Sequence, residues 1–225
     1  MSAFSDALQQ GHDLRNRWRC RPAAAQYRRA LTIATTAEEQ CTALHMLGVT
    51  CKMWGRLEMA DEALTLARRL SPNKTAIGNI NRDLADTASL MGDHAHAKEL
   101  ISLSLEQLHG TGVPYYSSKG FEGRILQRAG DLPEALESFE SAHQGLQSSQ
   151  SGSPELFNLI PYINALYEAG DDDTARSWIY PAMELADQYG AWIHRLRLRA
   201  LYRFGYRADN LIQRCLPLQR FIPFL

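Results

Sequence analysis

Residues 41–74 have the sequence CTALHMLGVTCKMWGRLEMADEALTLARRLSPNK, and this stretch decides the fold. Leu44, Leu47 and Cys51 recur at helical spacing, so they predict one buried stripe of a helix. Gly55 then interrupts the pattern, as glycine does after the end of a helix. A second stripe of leucines and alanines follows and ends at a Ser-Pro-Asn sequence. The stretch therefore predicts a helix, a tight turn and a second helix.

The positions of the small and apolar residues in this stretch resemble the consensus of the tetratricopeptide repeat (TPR), a helix pair of about 34 residues. The matching residues are Leu47, Gly48, Gly55, Ala60, Leu64, Ala67 and Pro72. Leu44 and Cys51 occupy positions where the consensus has tryptophan and tyrosine. The resemblance implies an all-α fold, a right-handed α-α superhelix of about five to six helical hairpins.

Weaker copies of the pattern lie on both sides of this repeat. The predicted repeats lie near residues 4–37, 41–74, 78–111, 116–149 and 156–189. Together they make residues 1–190 one predicted repeat array. Residues 191–225 are predicted to form either a divergent sixth repeat or a capping helix with an apolar tail, because a solenoid needs a cap at its end.

Several local departures from the repeat pattern are also expected. Residues 38–40 and 75–77 are predicted to be short insertions between repeats. Trp18 stands where the first repeat would have its turn glycine, so that turn is expected to be altered. Small polar residues make 148–154 the most linker-like segment, and they predict a hinge beside the fifth repeat.

Composition bounds the class of partner. The 24 basic and 25 acidic side chains leave a formal charge of −1, which predicts no polyanion partner. Residues 41–190 contain 11 basic and 20 acidic side chains, whereas both ends are rich in arginine. We find no basic and apolar leader, no apolar run of about 20 residues and no Cys-x-x-Cys pair among the four cysteines. We therefore expect a cytoplasmic protein with free thiols and no membrane segment.

The resemblance also implies a binding surface, because in TPR proteins the first helices of the pairs line the concave face. The implied partner-binding residues are His45, Lys52, Asn79, Arg82, Asp86, Arg124, Arg128, Phe157, Asn164, Tyr167, Trp192, Arg195 and Arg199. Guanidinium groups bind carboxylates through paired hydrogen bonds, and arginine is frequent in the C-terminal part of this set. We expect an adaptor or regulatory protein-interaction module whose groove binds an acidic or carboxylate-ended peptide or protein segment.

Two alternatives from other classes remain open. Helical repeats also bind single-stranded RNA, and the arginines and aromatics of 192–206 suit phosphates and stacked bases. The acidic middle of the chain argues against nucleic acid. The second alternative is a self-assembling scaffold, or a homodimer, formed through the arginine-rich C-terminal helix and the apolar tail.

No enzyme motif, metal site or cofactor site emerges from the sequence. His94 and His96 lack further metal ligands at a suitable spacing. His45 and Cys51 are six residues apart, so they do not share a helix face as a nucleophile and its base would. The Lys and Asn pair that chaperone-binding TPR domains use as a carboxylate clamp is absent from repeats two and three. We expect a protein that is not an enzyme and needs no cofactor.

Overall fold

The computed structural model describes residues 2–150 and 152–204, and this part of the chain contains helices and no strand. The helices are α1 (Ala3–Asn16), α2 (Cys20–Ile33), α3 (Ala37–Met53), α4 (Leu57–Leu70), α5 (Lys74–Leu90), α6 (His94–Leu108), α7 (Val113–Ala129), α8 (Leu132–Ser148), α9 (Gly152–Glu168), α10 (Asp172–Gln188) and α11 (Trp192–Phe204). The predicted all-α helical-repeat class is confirmed.

The chain divides into two compact units, Met1–His109 and Gly110–Leu225. In the first unit, α1–α2, α3–α4 and α5–α6 form pairs, and each second helix also packs on the first helix of the following pair. In the second unit, α7–α8 and α9–α10 form pairs and α11 packs on α10. Residues 205–225, which include the predicted apolar tail, lie outside the described residues.

One turn geometry joins the two helices of a pair. Gly55 has a φ of +72°, its N–H donates to the carbonyl of Lys52, and the next N–H donates to the carbonyl of Cys51, both at 2.9 Å. This is the hydrogen-bond pattern of a Schellman motif, which favours glycine in the left-handed position. The later pairs repeat it at Gly92, Gly130 and Gly170.

Trp18 takes the same left-handed position in the first pair, with a φ of +59°. The Trp18 N–H donates to the carbonyl of Arg15 at 2.8 Å, and the Arg19 N–H donates to the carbonyl of Leu14 at 2.9 Å. The expectation of an altered turn is therefore wrong, because the hydrogen bonds of the motif hold the tryptophan backbone in the glycine conformation.

Glycine also lets the two helices of a pair approach closely. A Cβ added at Gly48 would lie 2.6 Å from Cγ of Leu64, and one added at Gly123 would lie 2.8 Å from the ring of Phe139. Real carbon atoms do not approach so closely, so either Gly48 or Leu64 would have to shift. The α3–α4 crossing therefore depends on the missing side chain.

The segments predicted to be insertions belong to helices. Residues 38–40 lie in α3 and 75–77 lie in α5, so each first helix begins one turn before the repeat pattern does. The side chains of Thr36 and Asn73 accept hydrogen bonds from the N–H groups of Glu39 and Ala76, at 3.1 and 2.9 Å. These caps satisfy backbone donors that would otherwise lack partners, so they explain the extra turn.

The segment predicted to be a linker is also mostly helical. The helix α8 continues to Ser148 and α9 begins at Gly152, so residues 149–151 alone connect them. The hydroxyls of Ser148 and Ser149 both donate to the carbonyl of Gly145, at 2.9 and 2.8 Å. These two side chains therefore bond to one carbonyl of the last helical turn, although small polar residues of this kind also favour loops.

Candidate functional site

A set of charged and polar side chains joins α3 to α5 in the first unit, and we call it the α3–α5 polar cluster. Its members are His45, Lys52, Asn79, Arg82, Asp83 and Asp86. The two helices are the first helices of successive pairs, and they meet along a short contact.

Asp83 lies at the centre of the cluster, and its side chain is 5% exposed. One carboxylate oxygen accepts from Nζ of Lys52 at 2.9 Å. The other accepts from Nη2 of Arg82 at 3.2 Å, and Nε2 of His45 lies 3.0 Å from it. Both carboxylate oxygens of this buried side chain are therefore occupied by donors from two helices.

The cluster extends from Asp83 in two directions. Nζ of Lys52 also lies 2.8 Å from Oδ2 of Asp86, so the ammonium group sits between two carboxylates. Nη1 of Arg82 donates to Oδ1 of Asn79 at 3.0 Å. The two cations, Lys52 and Arg82, balance the two carboxylates of Asp83 and Asp86.

The electrostatic environment keeps Asp83 ionised. Burial by itself raises the pKa of this carboxyl, but Lys52, Arg82 and His45 outweigh burial and hold the pKa well below its usual range. Opposite charges and hydrogen bonds to the charged form lower the pKa of an acid in this way. The cluster therefore contains a buried charge that is compensated by its neighbours.

Hydrogen bonds to the buried side chain of Asn81 also hold α5 in place. Nη1 of Arg68 in α4 donates to Oδ1 of Asn81 at 3.3 Å, and Nδ2 of Asn81 donates to Oε1 of Gln107 in α6 at 2.9 Å. Asn81 thus connects α5 to the helices on either side of it in the chain. These bonds fix the rotation of α5 and with it the direction of the cluster residues two positions away.

Five predicted partner-binding residues belong to the cluster: His45, Lys52, Asn79, Arg82 and Asp86. Asp83 was not among the predicted residues, because the positions carried over from the TPR resemblance pass over it. One signal was available, since Asp83 and Asp86 stand three residues apart on a helix whose neighbours are apolar. Two acids on one helix face indicate that cations lie opposite them.

The predicted residues of the second unit contact separate neighbours. The guanidinium of Arg124 lies 3.7 Å from the ring centroid of Phe121. Phe157 is 56% exposed, and its ring meets the edge of His194 in α11 at 5.0 Å between centroids. Arg195 forms an ion pair with Asp187.

The remaining predicted residues of this unit differ in burial. Asn164 is buried and Tyr167 is half-buried, and burial raises the pKa of the Tyr167 hydroxyl. Arg128 and Arg199 are exposed. The side chain of Trp192 lies outside the described residues.

The turn before His94 and His96 forms the N-cap of α6. Asp93 caps α6 by accepting from the N–H of His96 at 3.0 Å. Within residues 2–150 and 152–204, no group of three or more His, Cys, Asp or Glu side chains is placed to hold a metal ion.

Burial raises the pKa of the free thiols of Cys20, Cys41 and Cys51. None of the helices in the described part has the length and apolar character needed to cross a bilayer.

No protein-family model and no curated protein matches this sequence. Solved structures match its fold. A Rap protein in complex with Competence and Sporulation Factor superposes with a TM-score of 0.82 over 96% of this chain, at 12% identity. The Rap conjugation gene regulator of the plasmid pLS20, in complex with the Phr* peptide, gives 0.83 over 96% at 16% identity. This chain covers 64% and 63% of those two chains, which is less than two thirds of their length.

The nearly identical TPR-like repeats of a Podosopora anserina kinesin light chain also match. The TM-score is 0.60 over 85% of this chain and 99% of that one, at 13% identity. Identities this low establish the fold alone. The structure and these matches together show that the chain has a TPR-like helical-repeat fold, as the resemblance implied.

Proposed function

We propose that this TPR-like chain is a peptide- or protein-binding module with a regulatory role, and that the α3–α5 polar cluster is its contact surface in the first unit. One observation carries the proposal: five side chains expected to face a partner belong to one connected cluster centred on Asp83, on two successive first helices. The matched Rap structures support it, because both are complexes, one with Competence and Sporulation Factor and one with a Phr* peptide.

The geometry suits recognition because the polar groups are already ordered. Arg82 and His45 are each 17% exposed, so their edges remain accessible while their inner atoms bond to Asp83. A side chain that is fixed before binding loses little rotamer entropy when a ligand arrives. Helices also hold such groups more accurately than loops do. The cluster therefore combines access with a low entropic cost of binding.

The second unit offers different contacts for the same ligand class. Phe157 presents an exposed ring beside His194, and Arg128 and Arg199 present exposed guanidinium groups. Aromatic rings and guanidinium groups supply much of the binding energy in protein interfaces. We propose these side chains as secondary contacts for a partner segment. The preference for an acidic ligand that the sequence predicted is assigned to these arginines.

The test begins with the full chain and a random peptide display library of about 12 residues per peptide. Selected peptides are synthesised with a fluorophore, and their Kd is measured by anisotropy for the wild type, Arg82→Ala and Arg69→Ala. Arg69 is an exposed arginine of α4 and serves as the matched control. We expect Arg82→Ala to weaken binding by about tenfold or more and Arg69→Ala to leave it unchanged.

Two results would contradict the proposal. One is the failure of every selected peptide to bind above background, or an equal loss of affinity in both variants. The other is tighter binding of a single-stranded oligouridylate than of any peptide, with a Kd that rises steeply with salt. The second result would instead support the RNA-binding alternative.

A further inference from the structure

We infer that the α3–α5 polar cluster recognises amide groups, either the backbone of an extended segment or the side chains of Asn and Gln, and that it disfavours carboxylates. This inference rests on the proposed function and identifies the ligand chemistry of the same site. It replaces, for the first unit, the acidic ligand expected from the sequence.

The charge balance of the cluster disfavours a carboxylate ligand. Lys52 lies 2.9 and 2.8 Å from the carboxylates of Asp83 and Asp86, and Arg82 lies 3.2 Å from Asp83. A ligand carboxylate that approaches either cation also approaches one of these buried acids. Like charges repel strongly where water is excluded. An uncharged ligand avoids this repulsion and keeps the existing pairs intact.

The atoms of the cluster that a ligand can reach are mainly hydrogen-bond donors. The side chains of Asp83 and Asp86 are 5% and 6% exposed, so their acceptor oxygens are covered. Arg82 is more exposed, and a guanidinium carries five N–H donors and no acceptor. Oδ1 of Asn79 already accepts from Arg82, so the donor end of this amide points elsewhere. The accessible edge therefore presents donors, which call for an acceptor such as a carbonyl.

His45 acts as a donor inside the cluster and is held by Asp83. An ionised carboxylate only accepts hydrogen bonds, so Nε2 of His45 carries the proton in its 3.0 Å contact with Asp83. The cluster then offers donors from Arg82 and from the amide nitrogen of Asn79. An amide group supplies the complementary acceptor, an uncharged carbonyl oxygen.

Asp83 acts in this scheme as a positioning residue. It touches no ligand, but it orients the ring of His45 and the guanidinium of Arg82. Asp83→Asn keeps the size of the side chain and removes the charge, so the cluster becomes cationic. Asp86→Asn does the same at the edge of the cluster, beside Lys52. Both variants are expected to convert the site from amide preference toward carboxylate preference.

The experiment uses the full chain and a selected peptide whose binding depends on Arg82. Each uncharged residue of the peptide is replaced in turn by Glu and, separately, by Gln. For the wild type we expect no Glu peptide to bind tighter than its Gln counterpart, and a Kd that changes less than about twofold between about 50 and 500 mM NaCl. For Asp83→Asn and Asp86→Asn we expect at least one Glu peptide to gain about tenfold over its Gln counterpart.

Each outcome decides the inference. If the Arg82-dependent peptides are acidic and lose affinity steeply with salt, the proposed function stands and amide recognition is overturned. It is also overturned if both Asn variants remain folded by circular dichroism and leave the Glu-to-Gln ratio unchanged. If no peptide depends on Arg82, the proposed function fails and the inference fails with it. A Glu-to-Gln ratio that rises in either folded variant supports amide recognition, because a purely structural role for the aspartate would not move it.

Discussion

At the residue scale, the most consequential group is a buried carboxylate that the chain keeps ionised. Asp83 meets Lys52, Arg82 and His45, and these neighbours hold its pKa well below the usual value despite burial. A buried ion pair adds little to stability compared with an apolar pair, but removing one partner leaves the others uncompensated. Replacing Asp83 is therefore expected to destabilise the fold.

We expect Asp83→Asn to lower the free energy of unfolding by about 3 kcal/mol, because Lys52 and Arg82 then lose a buried counter-charge. Urea unfolding followed by circular dichroism measures the change. Glu106→Gln is the control, since Glu106 is an exposed carboxylate of α6 in the same unit. The control is expected to stay within about 0.5 kcal/mol of the wild type. Equal losses in the two variants would contradict the central role of Asp83.

The same residue predicts a pH dependence. The folded pKa of Asp83 lies below its unfolded value of about 3.9, so its stabilising contribution is present above that pH and is lost as the pH falls through the folded pKa. Between about pH 6 and pH 3, the wild type is expected to lose more stability than Asp83→Asn. Chemical denaturation at a series of pH values tests this, and a constant difference between the two proteins would refute it.

At the element scale, the helix pairs depend on two features: a residue in the left-handed conformation at the turn, and a glycine without a side chain where the two helices cross. Gly55 exemplifies the first and Gly48 the second. Both were predicted from the sequence, since glycine at these positions is part of the repeat pattern. The first turns of α3 and α5 were not predicted, because a polar N-cap before a helix resembles the composition of a loop.

The turn at Trp18 provides a prediction about strain. A side chain in the left-handed region costs about 1 kcal/mol relative to glycine. Trp18→Gly and Trp18→Ala both remove the indole and its contacts, but only glycine removes the strain. We expect the free energy of unfolding of the Gly variant to be about 1 kcal/mol larger than that of the Ala variant. Equal stabilities in thermal or urea unfolding would show that the turn carries no strain at this position.

The α3–α4 crossing provides a prediction about packing. Gly48→Ala places a Cβ against Leu64, so it is expected to destabilise the protein by about 1–3 kcal/mol. Leu64→Ala is expected to cost about 2–5 kcal/mol by leaving a cavity. In the double variant the new methyl group occupies part of that cavity, so the combined loss is expected to be smaller than the sum. A strictly additive result would mean that the two sites do not share space.

At the scale of the whole molecule, the chain separates into two compact units joined at the segment before α7. Gly110 and Gly112 both have positive φ, at +78° and +70°, and both are exposed. Exposed loops with small residues are the usual sites of proteolytic cleavage. The first unit contains the polar cluster and the second contains the aromatic and arginine residues, so the two proposed kinds of contact belong to different units.

Limited digestion with subtilisin is expected to cut first within residues 109–112, because this connection is exposed and rich in glycine. Mass spectrometry of the early fragments identifies the cut. The connection at 149–151, inside the second unit, is the natural comparison. A first cut there would contradict the division of the chain at His109.

The sequence by itself determined the helical-repeat class and the glycine turn at Gly55. These features depend on the 3.6-residue period and on glycine conformation, which are local properties that a single stretch such as 41–74 displays. The positions implied by the TPR resemblance also included five members of the polar cluster, whose role in binding stays a prediction.

Only the tertiary structure decided what that surface is. Lys52 and His45 reach Asp83 across 31 and 38 residues of sequence, and this contact exists because α5 packs beside α3. The charge of a binding surface depends on which groups neutralise each other. The packing between helices decides this, and the residue pattern of a single helix does not predict it. The predicted set contained Lys52 and Arg82 as cations for a partner, and packing gave these two cations the buried acids Asp83 and Asp86.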